Sequence, residues 1–209
     1  MNNWISGIDE AGKGPVLGNL VIALASIDAE AEPELTELGI TDSKKLTREK
    51  REEFFPQIKK LCKYSIVEIT ASQLNERMGR ESLNLIEAKA MGGLAASFPG
   101  RIYIDLPEKN ASKFIEKANL GKREVVAEHK ADLKYPIVGA ASILAKVTRD
   151  RRIEELKEKV GEEIGSGYTS DERTINAIKN PKIRAKLKGE IRTRWSTVER
   201  VMQPKLTEF

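Results

Sequence analysis

The sequence has one cysteine, Cys62, so it can build neither a disulfide framework nor a cysteine-based zinc cluster. Cys62 sits in an apolar pattern and reads as a small core residue. No apolar run approaches the ~20 residues that a spanning helix needs. No charged-then-apolar leader opens the sequence, and it has no internal repeat and no low-complexity block. These absences predict a cytoplasmic protein without a membrane partner. With 209 residues, 40% of them hydrophobic, the chain can fold as one domain with an ordinary core, or as one domain with a modest appendage.

Charged residues are plentiful, at 33%, but nearly balanced: 36 Lys and Arg against 32 Asp and Glu. Their distribution says more than the sum. Lys179, Lys182, Arg184, Lys186, Lys188, Arg192, Arg194, Arg200 and Lys205 face only Glu190 and Glu199 over the same stretch. Such a run suits a polyanion, because each neutralised phosphate releases condensed counterions. It equally suits a solvated basic helix, and composition does not choose between the two.

Short apolar runs predict strands over Ile5 to Asp9, Leu20 to Ile27, Tyr64 to Ile69, Arg101 to Asp105 and Arg123 to Ala127. Helical stripes lie between them. Thr47 reads as an N-cap ahead of Phe54, Ile58 and Leu61, and Leu83, Ile86, Ala90 and Leu94 share a second face. After Pro136 a long helix runs to about Val160, and the Gly165-Ser166-Gly167 turn then breaks the pattern. Three strands followed by strands alternating with helices predict an α/β fold, a mixed sheet flanked by helices. Residues 1–164 form the expected catalytic domain, 165–202 a helical, basic C-terminal region, and 203–209 a tail.

The run from Gly7 to Gly14 nearly matches a phosphate-binding loop, which needs Gly-Lys followed by Ser or Thr. Gly14 brings no hydroxyl for magnesium, and Asp9 with Glu10 would place negative charge in a cradle meant for phosphate. The acids themselves are better candidates. Asp9 and Asp105 are expected to end strands, and Asp132 follows a third strand. Carboxylates at strand ends can converge on one sheet edge and hold hard divalent cations. Any one of them can instead be a turn acid or a cap. Adjacent Asp9 and Glu10 point to opposite faces of a regular strand, so spacing alone does not bring both into one site.

Several stretches together resemble one family. They are Gly7 to Pro15 with its Asp-Glu pair and Gly-Lys-Gly loop, Asp42 to Leu46, Tyr103 to Asp105, Glu128-His129-Lys130-Ala131-Asp132, Ala140 to Val147, Gly165 to Asp171 and Arg194 to Thr197. In order and spacing they are similar to ribonuclease HII, in its archaeal branch. The resemblance implies a ribonuclease H-like fold with a helical C-terminal appendage. It implies four metal-site carboxylates, Asp9, Glu10, Asp105 and Asp132, holding two Mg2+ or Mn2+ ions. It places Gly12, Lys13 and Gly14 against a ribonucleotide's 2′-hydroxyl and Tyr168 at the RNA-to-DNA junction, and it makes Lys44, Lys45 and Lys146 candidate phosphate contacts. The implied substrates are RNA/DNA hybrids and DNA containing ribonucleotides, cut 5′ of the ribonucleotide in a two-metal displacement that leaves 5′-phosphate and 3′-hydroxyl ends. A hybrid-binding module without activity is the rival reading, and the presence of all four carboxylates argues against it.

His129, the only histidine, is expected to make a local hydrogen bond rather than serve as a base, and Trp4 and Trp195 are expected in the core. The final residues Gln203, Leu206 and Phe209 resemble the peptide by which replication enzymes dock on a sliding clamp. Leu206 and Phe209 are one helical turn apart, so both can enter one apolar pocket. A monomer is expected.

Overall fold

A computed structural model describes residues 3–40 and 46–202. Five strands form one mixed sheet in the order β3-β2-β1-β4-β5, with β1 at Trp4–Ala11, β2 at Leu20–Asp28, β3 at Lys63–Ile69, β4 at Arg101–Asp105 and β5 at Val125–Glu128. Strand β1 is antiparallel to β2 and parallel to β4, and β4 is parallel to β5. The helices are α1 (Glu32–Glu37), α2 (Arg48–Leu61), α3 (Ala71–Arg77), α4 (Leu83–Ala96), α5 (Ala111–Lys117), α6 (Pro136–Val160), α7 (Glu172–Lys179), α8 (Pro181–Lys186) and α9 (Ser196–Met202). No helix among the described residues is long and apolar enough to cross a membrane.

The expected mixed sheet with flanking helices is present, and its local causes are visible. Thr47 caps α2 by accepting from the Lys50 amide, and Phe54, Phe55 and Ile58 bury the stripe behind it. Strand β2 is buried over all but its last residue, as a central strand covered on both faces must be. Strand β1 does not end at Asp9 as expected. Its ladder with β2 continues through Asp9↔Ala23, Glu10↔Ile22 and Ala11↔Val21, whereas its ladder with β4 stops at Ile8↔Ile104. Asp9 therefore stands one residue past the last parallel pair, still held from the β2 side.

The described chain clusters into two compact units. The first comprises residues 1–11, 21–68 and 81–148. Its core joins β1 and β2 to α2 and to the first turns of α6, through Val21, Ala23, Ala25, Phe54, Ile58, Ile137, Ala141 and Leu144. The second is drawn from residues 12–20, 69–80 and 149–209. Its core gathers Val16, Leu17, Leu156, Val160, Ile164, Ile178, Leu187, Ile191 and Val198. There, segment 16–18 lies beside segment 190–192, tied by Gly18 N to Glu190 O at 2.9 Å and Arg192 N to Val16 O at 2.9 Å.

Candidate metal centre and glycine loop

In the first unit, Asp9, Asp105 and Asp132 each offer a carboxylate oxygen, and the three atoms lie within 4.8 Å of one another. The parallel ladder sets Asp105 beside Glu128, at the ends of β4 and β5. From there Lys130 turns the chain through a left-handed conformation, φ 60°, into the short 3-10 turn Ala131–Leu133 that carries Asp132. Two hydrogen bonds hold that turn against β4: the Ala131 amide donates to Asp105 Oδ1 at 3.2 Å, and His129 Nδ1 donates to the Leu106 carbonyl at 3.0 Å. His129 thus makes a local hydrogen bond of the kind expected of it.

Helix α6 approaches the same acids. Gly7 meets the main chain of Ile137 so closely that a Cβ would lie 2.3 Å from its carbonyl oxygen. Two residues along β1 is about 7 Å, and five residues along α6 is about 7.5 Å. The contact at Gly7 and Ile137 thus brings Ser142 to Asp9. The Ser142 hydroxyl hydrogen-bonds Asp9, and it accepts from Lys146 Nζ at 2.8 Å.

Asp9 and Asp132 are almost fully buried, and Asp105 partly so. Burial pushes the Asp9 carboxyl up to about 7, and the charge on Asp105 adds to this. The Ser142 hydroxyl, Lys146 and the Glu10 amide, 2.7 Å from Asp9 Oδ1, oppose the rise without cancelling it. Clustered, desolvated carboxylates of one sign are costly unless a cation joins them. An all-oxygen, acidic donor set suits a hard divalent ion, so these residues fit the implied metals. Glu10, the fourth acid singled out by the sequence, is half-buried and is not among the three that converge. Lys44 and Lys45 lie outside the described residues, as do Gln203, Leu206 and Phe209.

In the second unit, Gly12 has φ +82°, and a Cβ there would sit 2.7 Å from the Asn19 carbonyl oxygen, so glycine is required by the loop itself. Gly14 differs. Among the described residues a Cβ would meet only Tyr168 Cε1, at 4.0 Å, so none of them demands its bareness. Tyr168 is 39% exposed and packs on the Arg149 guanidinium, 4.8 Å from ring centre to Cζ. Arg149 donates to the Ser166 carbonyl, and the Gly167 carbonyl accepts from the Val16 amide at 2.8 Å. The glycine loop and the turn bearing Tyr168 are thereby tied together.

Three residues essential to this geometry, Ser142, Arg149 and Arg192, were not singled out from the sequence. Arg192 belongs to the basic stretch, yet it is fully buried. Its Nε donates to the Gly18 carbonyl at 2.9 Å and its Nη1 to the Lys13 carbonyl at 3.1 Å. Burial pulls its guanidinium down to about 9, and the like charge of Arg149 adds to that. Other members of the stretch also hold main chain: Arg184, half-buried, donates to the Ile178 carbonyl, and Lys186, itself exposed, to the Val160 carbonyl. Trp195, half-buried, packs against the second core and lies 5.0 Å from the Arg192 guanidinium.

A family model described as Ribonuclease HII matches residues 6–198. The chain is 42% identical over 208 residues to the ribonuclease HII of Archaeoglobus fulgidus, covering 98% of this chain and 99% of that one. Among solved structures it is similar to the ribonuclease HII of A. fulgidus in its complex with PCNA, with TM-score 0.86, 40% identity and coverage of 98% and 100%. It is also similar to ribonuclease H2 from Pyrococcus horikoshii, with TM-score 0.83, 38% identity and coverage of 95% and 96%.

Proposed function

Starting from the fact that this chain belongs to the ribonuclease HII family, we propose that it cuts the RNA strand of RNA/DNA hybrids and also cuts duplex DNA on the 5′ side of an embedded ribonucleotide. It is an endoribonuclease, a phosphodiester hydrolase with a ribonuclease H-like fold. The observation that carries the finer reading is the convergence of Asp9, Asp105 and Asp132 in a buried, all-oxygen cluster.

Asp9, Asp105 and Asp132 would hold Mg2+ or Mn2+, with Glu10 as the fourth ligand. Bound there, divalent ions supply Lewis-acid stabilisation of charge at the attacking and leaving oxygens. Water oxygen bonds to phosphorus as the bond to the 3′ oxygen breaks. The 3′ oxygen leaves as a hydroxyl, and the phosphate stays on the 5′ side of the ribonucleotide. Ser142 and Lys146 keep Asp9 oriented and favour its charged form. The backbone at Gly12, Lys13 and Gly14 reads the 2′-hydroxyl, and Tyr168 stacks at the junction. The open space beside Gly14 supports that role, because a side chain there would block a close approach. Lys44, Lys45 and Lys146 are proposed phosphate contacts. Selectivity of this kind reads sugar, not base edges, and is independent of sequence.

The biological role that follows is removal of misplaced ribonucleotides and processing of RNA primers. Docking on a sliding clamp through Gln203, Leu206 and Phe209 is supported by their spacing and by the PCNA complex solved for the A. fulgidus protein.

The test is a divalent-metal titration of cleavage on a duplex carrying one ribonucleotide, with both ends of the product mapped. Metal-dependent cutting that leaves 5′-phosphate on the ribonucleotide is expected, and Asp105→Asn should abolish it while leaving metal-free hybrid binding in place. Binding with no cleavage at any metal concentration would return the chain to the inactive hybrid-binding class.

A further inference from the structure

A fully buried guanidinium is expensive to keep, the more so beside a second arginine of like charge. If the site needed only filling, an apolar side chain of similar length would serve as well or better. What an apolar residue cannot do is donate two hydrogen bonds from one rigid plane. Arg192 does this across the loop, to Gly18 at one end and Lys13 near the other. Main-chain bonds to segment 190–192 already hold residues 16 and 18. The guanidinium extends that hold back to Lys13, between Gly12 and Gly14. Its Nη2 is shut off from solvent, finds no acceptor among the described residues, and lies 3.7 Å from where a Gly12 side chain would begin. The group is thus spread beneath the loop, with no donor turned outward to a phosphate.

We infer that Arg192 is a positioning residue that sets the main chain of the Gly12–Gly18 loop and thereby fixes the enzyme's preference for ribose over deoxyribose. The inference rests on the proposed role of that loop in reading the 2′-hydroxyl. Its physical content is geometric. A hydrogen bond to one hydroxyl tolerates displacements of only a few tenths of an ångström before it weakens. A loop released at Lys13 would still fold and still meet the duplex, but it would no longer present its backbone groups at the distance that the hydroxyl requires.

The experiment compares Arg192→Lys and Arg192→Gln, each in a cleavage-silent Asp105→Asn chain with magnesium present. Fluorescence anisotropy gives the affinity for a duplex with one ribonucleotide and for the same duplex made wholly of DNA, across a salt series. Melting temperature is recorded alongside. Both Arg192 variants should lower the ribose-to-deoxyribose affinity ratio at least tenfold, towards one. Affinity for the DNA duplex and its salt slope should be unchanged, because the buried charge meets no phosphate. Arg192→Lys keeps the charge without the two-pronged plane, so it decides the matter if Arg192→Gln does not fold. An unchanged ratio with a lowered melting temperature would leave Arg192 as structural support only. Equal weakening on both duplexes with a shallower salt slope would make it a phosphate contact, which also overturns the inference. If the Asp105→Asn chain with Arg192 intact shows no ribose preference, the reading of the loop itself fails, and that result is distinct from the other two.

Discussion

Gly7 on β1 and Ile137 at the start of α6 touch main chain to main chain, with no room for a side chain between them. A methyl at Gly7 would have to displace backbone, not a flexible side chain. We predict that Gly7→Ala lowers stability by about 1–3 kcal/mol, the usual cost of overpacking a filled interior. It should also reduce cleavage more than tenfold, because Ser142 is carried on the displaced helix. Measuring melting and turnover on the same sample checks this. Turnover matching the unaltered enzyme would show that the approach of α6 does not govern Asp9.

The buried Asp9 carboxyl has a pH signature with a definite sign. Its folded value, about 7, is above its ordinary 3.8, so its contribution to stability is fully present below about pH 4 and is lost as pH rises through 7. In metal-free buffer at pH 8, Asp9→Asn should therefore melt higher than the parent, by roughly 3–8 °C. The same shift means that metal must displace a proton below pH 7, so apparent metal affinity should climb between pH 6 and 8 and then level off. Equal melting of the two chains at pH 8 in chelator would show that Asp9 is not held as its burial requires.

Tyr168 presents one ring face to Arg149 and remains partly open to solvent. Replacing it with alanine should lose stacking of about 1–3 kcal/mol, by analogy with base–aromatic contacts. The loss should be largest on a duplex with a single ribonucleotide, where one junction must be held in register. Unchanged cleavage of that substrate would return Tyr168 to a structural role.

Removal of residues 203–209 is expected to leave cleavage of free hybrid unaltered and to abolish clamp binding in calorimetry. The three matching positions, Gln203, Leu206 and Phe209, lie in that segment. Equal clamp affinity with and without these seven residues would end the docking idea.

The parts of the fold set by local pattern were legible in the sequence, and the parts set by distant partners were not. Strand β4 runs from Arg101 to Asp105 as its apolar core predicts, and α6 covers the expected Pro136 to Val160. Helix α3 starts on the capping box Thr70-x-x-Gln73 but has only seven residues, too short for a hydrophobic stripe to mark it in the sequence. Strand β5 begins two residues later than expected because Arg123 turns inward and donates to the Ala95, Phe98 and Gly100 carbonyls. For the site, motif likeness pointed to the acids and the loop. Nothing in a run of basic residues marks Arg192 as buried, since its acceptors stand 174 and 179 positions away. Ser142 was equally silent, although its spacing from Lys146 is that of neighbours on one helix face.

The bond between Arg192 and the Lys13 carbonyl also imposes an order in time. A chain is made from its N-terminus at about 5–20 residues per second, so residue 192 follows residue 13 by roughly 10–35 s. Asp132, the last of the three clustered acids, is in place some 3–12 s before Arg192 at the same pace. During synthesis the chain therefore has its carboxylates before it can brace its glycine loop, and the loop takes its final geometry only after the acids that it serves are already in place.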